Sequence, residues 1–192
     1  MTTTITGATG VNQITDDAIT SSKLPSGSVL QVQSAVVTTV ASSTVTDSST
    51  IGGDVGLNVT ITPLSSTSKF YISVDIGIAS VSAGASLAGI LSRAGSKVGN
   101  GTTSGNHQGV LFRGVDHVGN NGTDSNHGVG TSGSYVDNTS GSVGTSILYK
   151  LGLVGESGTS YINRVESDYN GSGNNVASTR TSSTIIVMEI EK

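Results

Sequence analysis

The chain has 192 residues, 34% of them hydrophobic, 11% charged and 4% aromatic, with 27 glycines; that is enough for one domain with a substantial core plus a tail, and too little for two. Its formal net charge is -4 and its nine Lys and Arg are scattered singly from Lys23 to Lys192, which argues against nucleic acid as a partner, because neutralising phosphates needs a basic patch. The absence of cysteine excludes disulfides and thiolate metal sites, and no apolar run longer than Ile185 to Met188 is present, too short for a membrane-spanning helix.

The first ten residues, MTTTITGATG, have neither the positive nor the apolar region of a secretory signal, so any exit from a cell is expected on a particle. Ile14, Ile19, Leu24 and Val29 then recur every five residues. This interval matches neither the 3.6-residue period of a helix nor the two-residue period of a strand. Thr15 to Leu24 carries the signals of a short helix: Thr15 or Asp16 as N-cap, Lys23 in the last turn, and Pro25 and Gly27 as the stop. At about two turns it would be marginal in isolation. The chain is divided at Gly27 into an extended N-terminal arm, residues 1-27, and a folded domain, residues 28-192. A few apolar side chains return far less free energy than fixing the arm's backbone costs, so the arm needs partners.

From Ser28 onward alternation dominates. Leu30, Val32, Val36 and Val40 are expected on one face of a first strand, and Val55, Leu57, Val59 and Ile61 on one face of a second, stopped by Pro63. Leu64 to Lys69 reads as a turn, and Phe70, Ile72, Val74, Ile76 and Ile78 give the clearest period of two. Further strands are predicted at 87-93, 108-115, 143-154, 159-166 and 183-191, about eight in all. Short alternating strands without a ten-residue helical pattern indicate an all-β fold, an antiparallel β-sandwich of jelly-roll-like type. Residues 95-106 and 117-133, almost wholly Gly, Asn, Ser, Thr and Asp, are expected as exposed loops.

Residues that could carry chemistry are few. His107, His117 and His127 recur every ten residues, but no H-x-x-x-H spacing fixes two on one element, and they read as loop histidines unless a symmetry axis gathers them. Asp116 and Asp124 lack the rest of a calcium loop. Gly128 to Gly133 satisfies G-x-G-x-x-G formally, without the flanking strand and helix that would give it meaning. Glu156, Glu166 and Asp168 lie in turn-like stretches with no Trp for a sugar platform. No enzyme, no metal and no cofactor is expected.

The stretch DDAITSSKLPSG, residues 16-27, resembles the D-x-A-I-T-x-x-K-L-x-x-G element near the N-termini of bacteriophage tail fibres and related virion proteins. LSRAGSKVGNG, SGTSYINRVESD and the ending SSTIIVMEIEK resemble the last hundred residues or so of virion structural proteins from marine and cyanobacterial phages. These matches cover residues 14-27 and, patchily, 87-192. The sequence departs from the pattern at Ala94, where Asp often precedes the Gly, and around YVDNTSG, where an Asp-Ser-Pro turn is usual. The resemblance implies a β-sandwich module, a homotrimer, and a role in virion architecture or host attachment. Ile19, Lys23, Leu24 and Gly27 match the arm element; together with Ile14 and Val29 they are assigned to assembly. The resulting expectation is a virion protein, a short fibre, decoration or adaptor whose arm docks on capsid or tail proteins while the sandwich projects. An alternative is a module that binds host surface glycans through its two loops, with Tyr135 and Tyr169 as stacking groups.

Overall fold

The computed structural model describes residues 23-44, 51-81, 87-102, 109-113, 129-155, 159-164 and 180-192. Among them are eleven strands and no α-helix: β1 (Val29–Val37), β2 (Ala41–Thr44), β3 (Gly53–Ile61), β4 (Lys69–Val81), β5 (Leu87–Arg93), β6 (Ser96–Lys97), β7 (Phe112–Arg113), β8 (Val129–Asp137), β9 (Ile147–Gly155), β10 (Thr159–Ile162) and β11 (Ser183–Ile190). The helix expected at residues 15-24 lies outside the described residues except for Lys23 and Leu24, which are not α-helical.

Every pairing is antiparallel, and the pairs nest: β1 with β11, β3 with β9, β4 with β8, β5 with β7. β11 also pairs with β4, and β9 with β5, which gathers the nested pairs into two sheets. The first sheet runs β1-β11-β4-β8, and the second β3-β9-β5 with β6 and β7 along its far edge. Past Ile76, β10 takes over from β11 beside β4, and β2 takes over from β1.

Period-two alternation explains why these sheets close on each other. Phe70, Ile72, Val74 and Ile76 of β4 and Ile185 and Val187 of β11 are buried against Val55, Leu57, Val59 and Ile61 of β3, Leu87 and Leu91 of β5, and Tyr149, Leu151 and Leu153 of β9. This is the core of an antiparallel β-sandwich, as the sequence indicated. Phe112 joins that core by lying on Gly89, where any Cβ would collide with its ring.

Three polar clasps brace the sandwich, the second of them within the first sheet. Glu189, fully buried on the core side of β11, accepts hydrogen bonds from the Leu64 and Ser65 amides at 2.9 and 3.0 Å, the Ser68 hydroxyl at 2.6 Å and the Gln31 amide at 2.6 Å. It thereby shapes the predicted turn between β3 and β4. Asn163, buried with φ of 66°, donates to the Val37 and Thr39 carbonyls at 2.7 and 2.9 Å and accepts from Ser183 Oγ at 2.6 Å. It stands where β1 gives way to β2 and β10 to β11. Asp137, Tyr149 and Arg93 form the third clasp, between the end of β8 and the second sheet.

Several expectations are corrected. Val32 and Val36 do not face the core; they are 51% and 56% exposed, and it is Ala35 and Val37 that pack against it. The reason is register: β1 lies opposite β11 with Gln31 across from Glu189 and Ala35 across from Ile185, so the odd positions turn inward and the even ones outward. Val40 falls beyond the end of β1, and a register shift between Val29 and Gln31 takes Leu30 out of the series. Residues 129-133 of the predicted loop 117-133 are strand, the first half of β8, because their small side chains suit pairing with β4. Ser96 and Lys97 of the loop predicted at 95-106 form a short hairpin strand, and Val143 belongs to a turn ahead of β9.

Candidate functional site: the outer face of the first sheet

β11 is apolar on both sides. Ile185 and Val187 enter the core, while Ile186, Met188 and Ile190 point the other way and are half-buried. A strand with two apolar faces is ordinarily covered on both. Here the second face lies on the outside of the sandwich.

Register then builds a patch from separate strands. Val32 lies opposite Met188, Met188 opposite Tyr71, and Tyr71 opposite Val136, so four apolar side chains form one row across β1, β11, β4 and β8. Val32 and Val136 at its ends are 51% and 40% exposed. The row beside it holds Val29, Ile190 and Lys69. In the other direction the rows become polar: Ser34, Ile186, Ser73 and Ser134, then Val36, Thr184, Asp75 and Ser132. The apolar end of the face is therefore the end at which β1 starts and β11 finishes. Contiguous exposed apolar surface of this kind marks an interaction site.

β1, at the margin of the sheet, reads VLQVQSAVV. It has no charge and no proline, the devices that usually protect an edge strand from pairing with other chains.

Of the residues assigned to assembly, Ile14 and Ile19 lie outside the described residues. Lys23 is exposed and Leu24 half-buried. Gly27, with φ of 91°, donates its amide to the Glu191 carbonyl at 2.8 Å, and Glu191 donates back to the Ser28 carbonyl at 2.9 Å. The last residues of the arm are thus tied to the end of β11. Val29 lies opposite Ile190 and is 51% exposed, so the structure brings this last member of the five-spaced series into the apolar patch. Sequence reasoning missed Val32, Tyr71, Val136, Ile186 and Met188 as surface residues. The alternation of β11 on both faces was the available signal.

The remaining candidates have little geometry to add. His107, His117, His127, Asp116, Asp124, Glu156, Glu166, Asp168 and Tyr169 lie outside the described residues. Among the described residues, no three His, Cys, Asp or Glu side chains gather as metal ligands. Tyr135 is partly buried against the core, and its ring lies so close over Gly99 that a Cβ there would collide with it. Among the described residues the outer face offers an apolar row with Ser and Thr in the rows on one side of it and Lys69 in the row on the other. No known protein-family model matches the chain, and its sequence matches none of the curated proteins.

Proposed function

We propose that the protein is a structural component of a phage virion, a short trimeric fibre, decoration or adaptor, whose N-terminal arm docks on the particle and whose sandwich projects outward. The strand nesting, first with eighth, second with seventh, third with sixth and fourth with fifth when β1/β2, β6/β7 and β10/β11 are each counted as one, supports a jelly roll. The observation that carries the reading is the apolar row Val32, Met188, Tyr71 and Val136 on the outer face. A sandwich that works alone has no use for such a row, whereas copies packed around an axis bury it. The likeness of residues 16-27 to the arm element of phage fibres supplies the setting.

Light scattering coupled to size exclusion on the full chain tests the reading. A mass three times the 19.2 kDa chain is expected. A stable monomer at micromolar concentration overturns it. Host glycan binding gains no support among the described residues, because Tyr135, one of its two stacking groups, is engaged with Gly99.

A further inference from the structure

We propose that Glu191, with the hydroxyls of Ser65 and Thr67, forms a calcium site where the turn between β3 and β4 meets the residue after β11. The proposal stands apart from self-association.

A charge without a partner is the first argument. Glu191 directly follows β11 and is 8% exposed, and its Oε2 makes no hydrogen bond. Glu189, two residues earlier, adds a second buried carboxylate. Ser65 touches both: its amide donates to Glu189 at 3.0 Å, and its hydroxyl lies 3.5 Å from Glu191 Oε1. The Leu64 and Ser65 amides, the Ser68 hydroxyl and the Gln31 amide all point to Glu189. A buried charge is ordinarily paired or coordinates a metal, and Glu191 has a like charge for a neighbour.

Geometry names the ligand. Glu191 Oε1 stands 3.5 Å from Ser65 Oγ and 3.3 Å from Thr67 Oγ1, and the two hydroxyls are 3.1 Å apart. Hydroxyl hydrogen bonds run about 2.5 to 3.0 Å, and Ser68 in the same turn reaches Glu189 at 2.6 Å. The triangle is too wide for contacts of that kind and has the span of a coordination shell. Calcium binds oxygens at about 2.4 Å, so ligands at right angles are about 3.4 Å apart; magnesium, at about 2.1 Å, needs about 2.9 Å. A carboxylate and two hydroxyls, without nitrogen or sulfur, are the hard donors calcium takes. Ser65 and Glu191 are buried and Thr67 is exposed, so water reaches the site from the Thr67 side and completes the shell.

The site also braces the entry to the fold. Glu191 is bound through its backbone to Gly27 and Ser28, so a cation on its side chain joins three segments. No local motif marks it, because Thr67 and Glu191 are 124 residues apart in the chain.

Full-length protein freed of metal by chelation is titrated with calcium chloride by calorimetry, and its melting temperature is followed in parallel. Binding with a dissociation constant of about 0.1 to 1 mM is expected, the weak end of calcium sites. The melting temperature should rise by about 3 to 10 °C at about 10 mM calcium, and by less than a third of that in equal magnesium. Glu191→Gln should abolish the calcium shift. Thr67→Val, at an exposed position, should weaken binding at least fivefold, and Asp75→Asn, an exposed carboxylate on the outer face, should leave it unchanged. Absence of calcium binding overturns the proposal, as does binding that either Glu191→Gln or Thr67→Val leaves intact, or an equal response to magnesium.

Discussion

Tyr149 donates a 2.7 Å hydrogen bond to Asp137, a carboxylate only 1% exposed that also receives Arg93 at 2.9 Å and the Thr139 amide at 2.9 Å. Asp137 ends β8 of the first sheet, whereas Tyr149 and Arg93 are cross-strand partners in the second. One aspartate thus ties the two layers together at one end of the sandwich. Arg93 also lies over the Phe70 ring at 5.7 Å and donates to the Thr139 and Ser140 carbonyls, which fixes the segment after β8. Removing one partner of such a buried pair typically costs about 3 to 5 kcal/mol, because the other charge is left unpaired. Asp137→Ala is expected to fall in that range in urea titrations, and Tyr149→Phe to cost about 1 to 3 kcal/mol.

The same contact has a pH signature. Burial, and then the hydrogen bond to Asp137 with its negative charge, push the Tyr149 phenol well above its ordinary value. A raised folded value means that the stabilisation is whole below the unfolded pKa of about 10 and declines as pH rises beyond it, since only the unfolded chain then loses the proton. Stability is expected to fall with pH above about 10 and to fall less steeply in Tyr149→Phe. Urea midpoints taken across that range provide the check; equal slopes for the two proteins would refute the assignment.

Glu189 resembles a core residue by position and a turn by function. Its carboxylate takes the place of water for the amides of Leu64 and Ser65 and the Ser68 hydroxyl. With Glu189→Leu the side chain suits the core and those donors lose their acceptor. Each buried donor without a partner costs about 1 to 3 kcal/mol, so a loss of about 3 kcal/mol or more is expected. In hydrogen exchange, the Leu64 and Ser65 amides should lose protection before those of β4.

Much of this fold was legible in the sequence, for a reason visible in particular strands. β3 and β4 meet water or neighbours on one side and the core on the other, and their alternation states which is which. β1 has Val at 29, 32, 36 and 37, and only its pairing with β11 decides that Val37 points in and Val36 out. β8 was invisible because VGTSGSYV has no apolar alternation; it is a strand through its partner β4. The apolar face was hidden for the same reason, since its rows combine residues as distant as Val32 and Met188. The clasps were hidden too. Nothing local shows that Asn163 or Glu189 is buried.

Ala94 is a position where local chemistry and backbone disagree. With φ of 47° it precedes Gly95 at 83° in the two-residue connection between β5 and β6. Left-handed conformation at both central residues defines the type I′ hairpin turn, where Asn-Gly and Asp-Gly are preferred. An alanine there carries its Cβ into a crowded geometry. Ala94→Asn or Ala94→Asp is expected to stabilise by about 0.5 to 1 kcal/mol, read as a higher melting temperature. No change in either variant would mean that the turn relaxes away from this geometry.

The outer face permits a graded test within a single surface. Val32 lies in the apolar row and Ser132 in a polar row of the same face, and both are exposed. A lysine at either site leaves the core untouched, so each variant should fold with a stability within about 0.5 kcal/mol of the parent. Association should nevertheless separate them. Burying an unpaired ammonium in an apolar contact is strongly unfavourable, and at a contact of Val32, Met188, Tyr71 and Val136 Val32→Lys is expected to weaken self-association at least tenfold. Ser132→Lys should leave it unchanged, because polar rows farther from the arm's root remain at the margin of the contact. Sedimentation of the two variants across a concentration series measures the difference; equal weakening by both would place the contact elsewhere on the molecule.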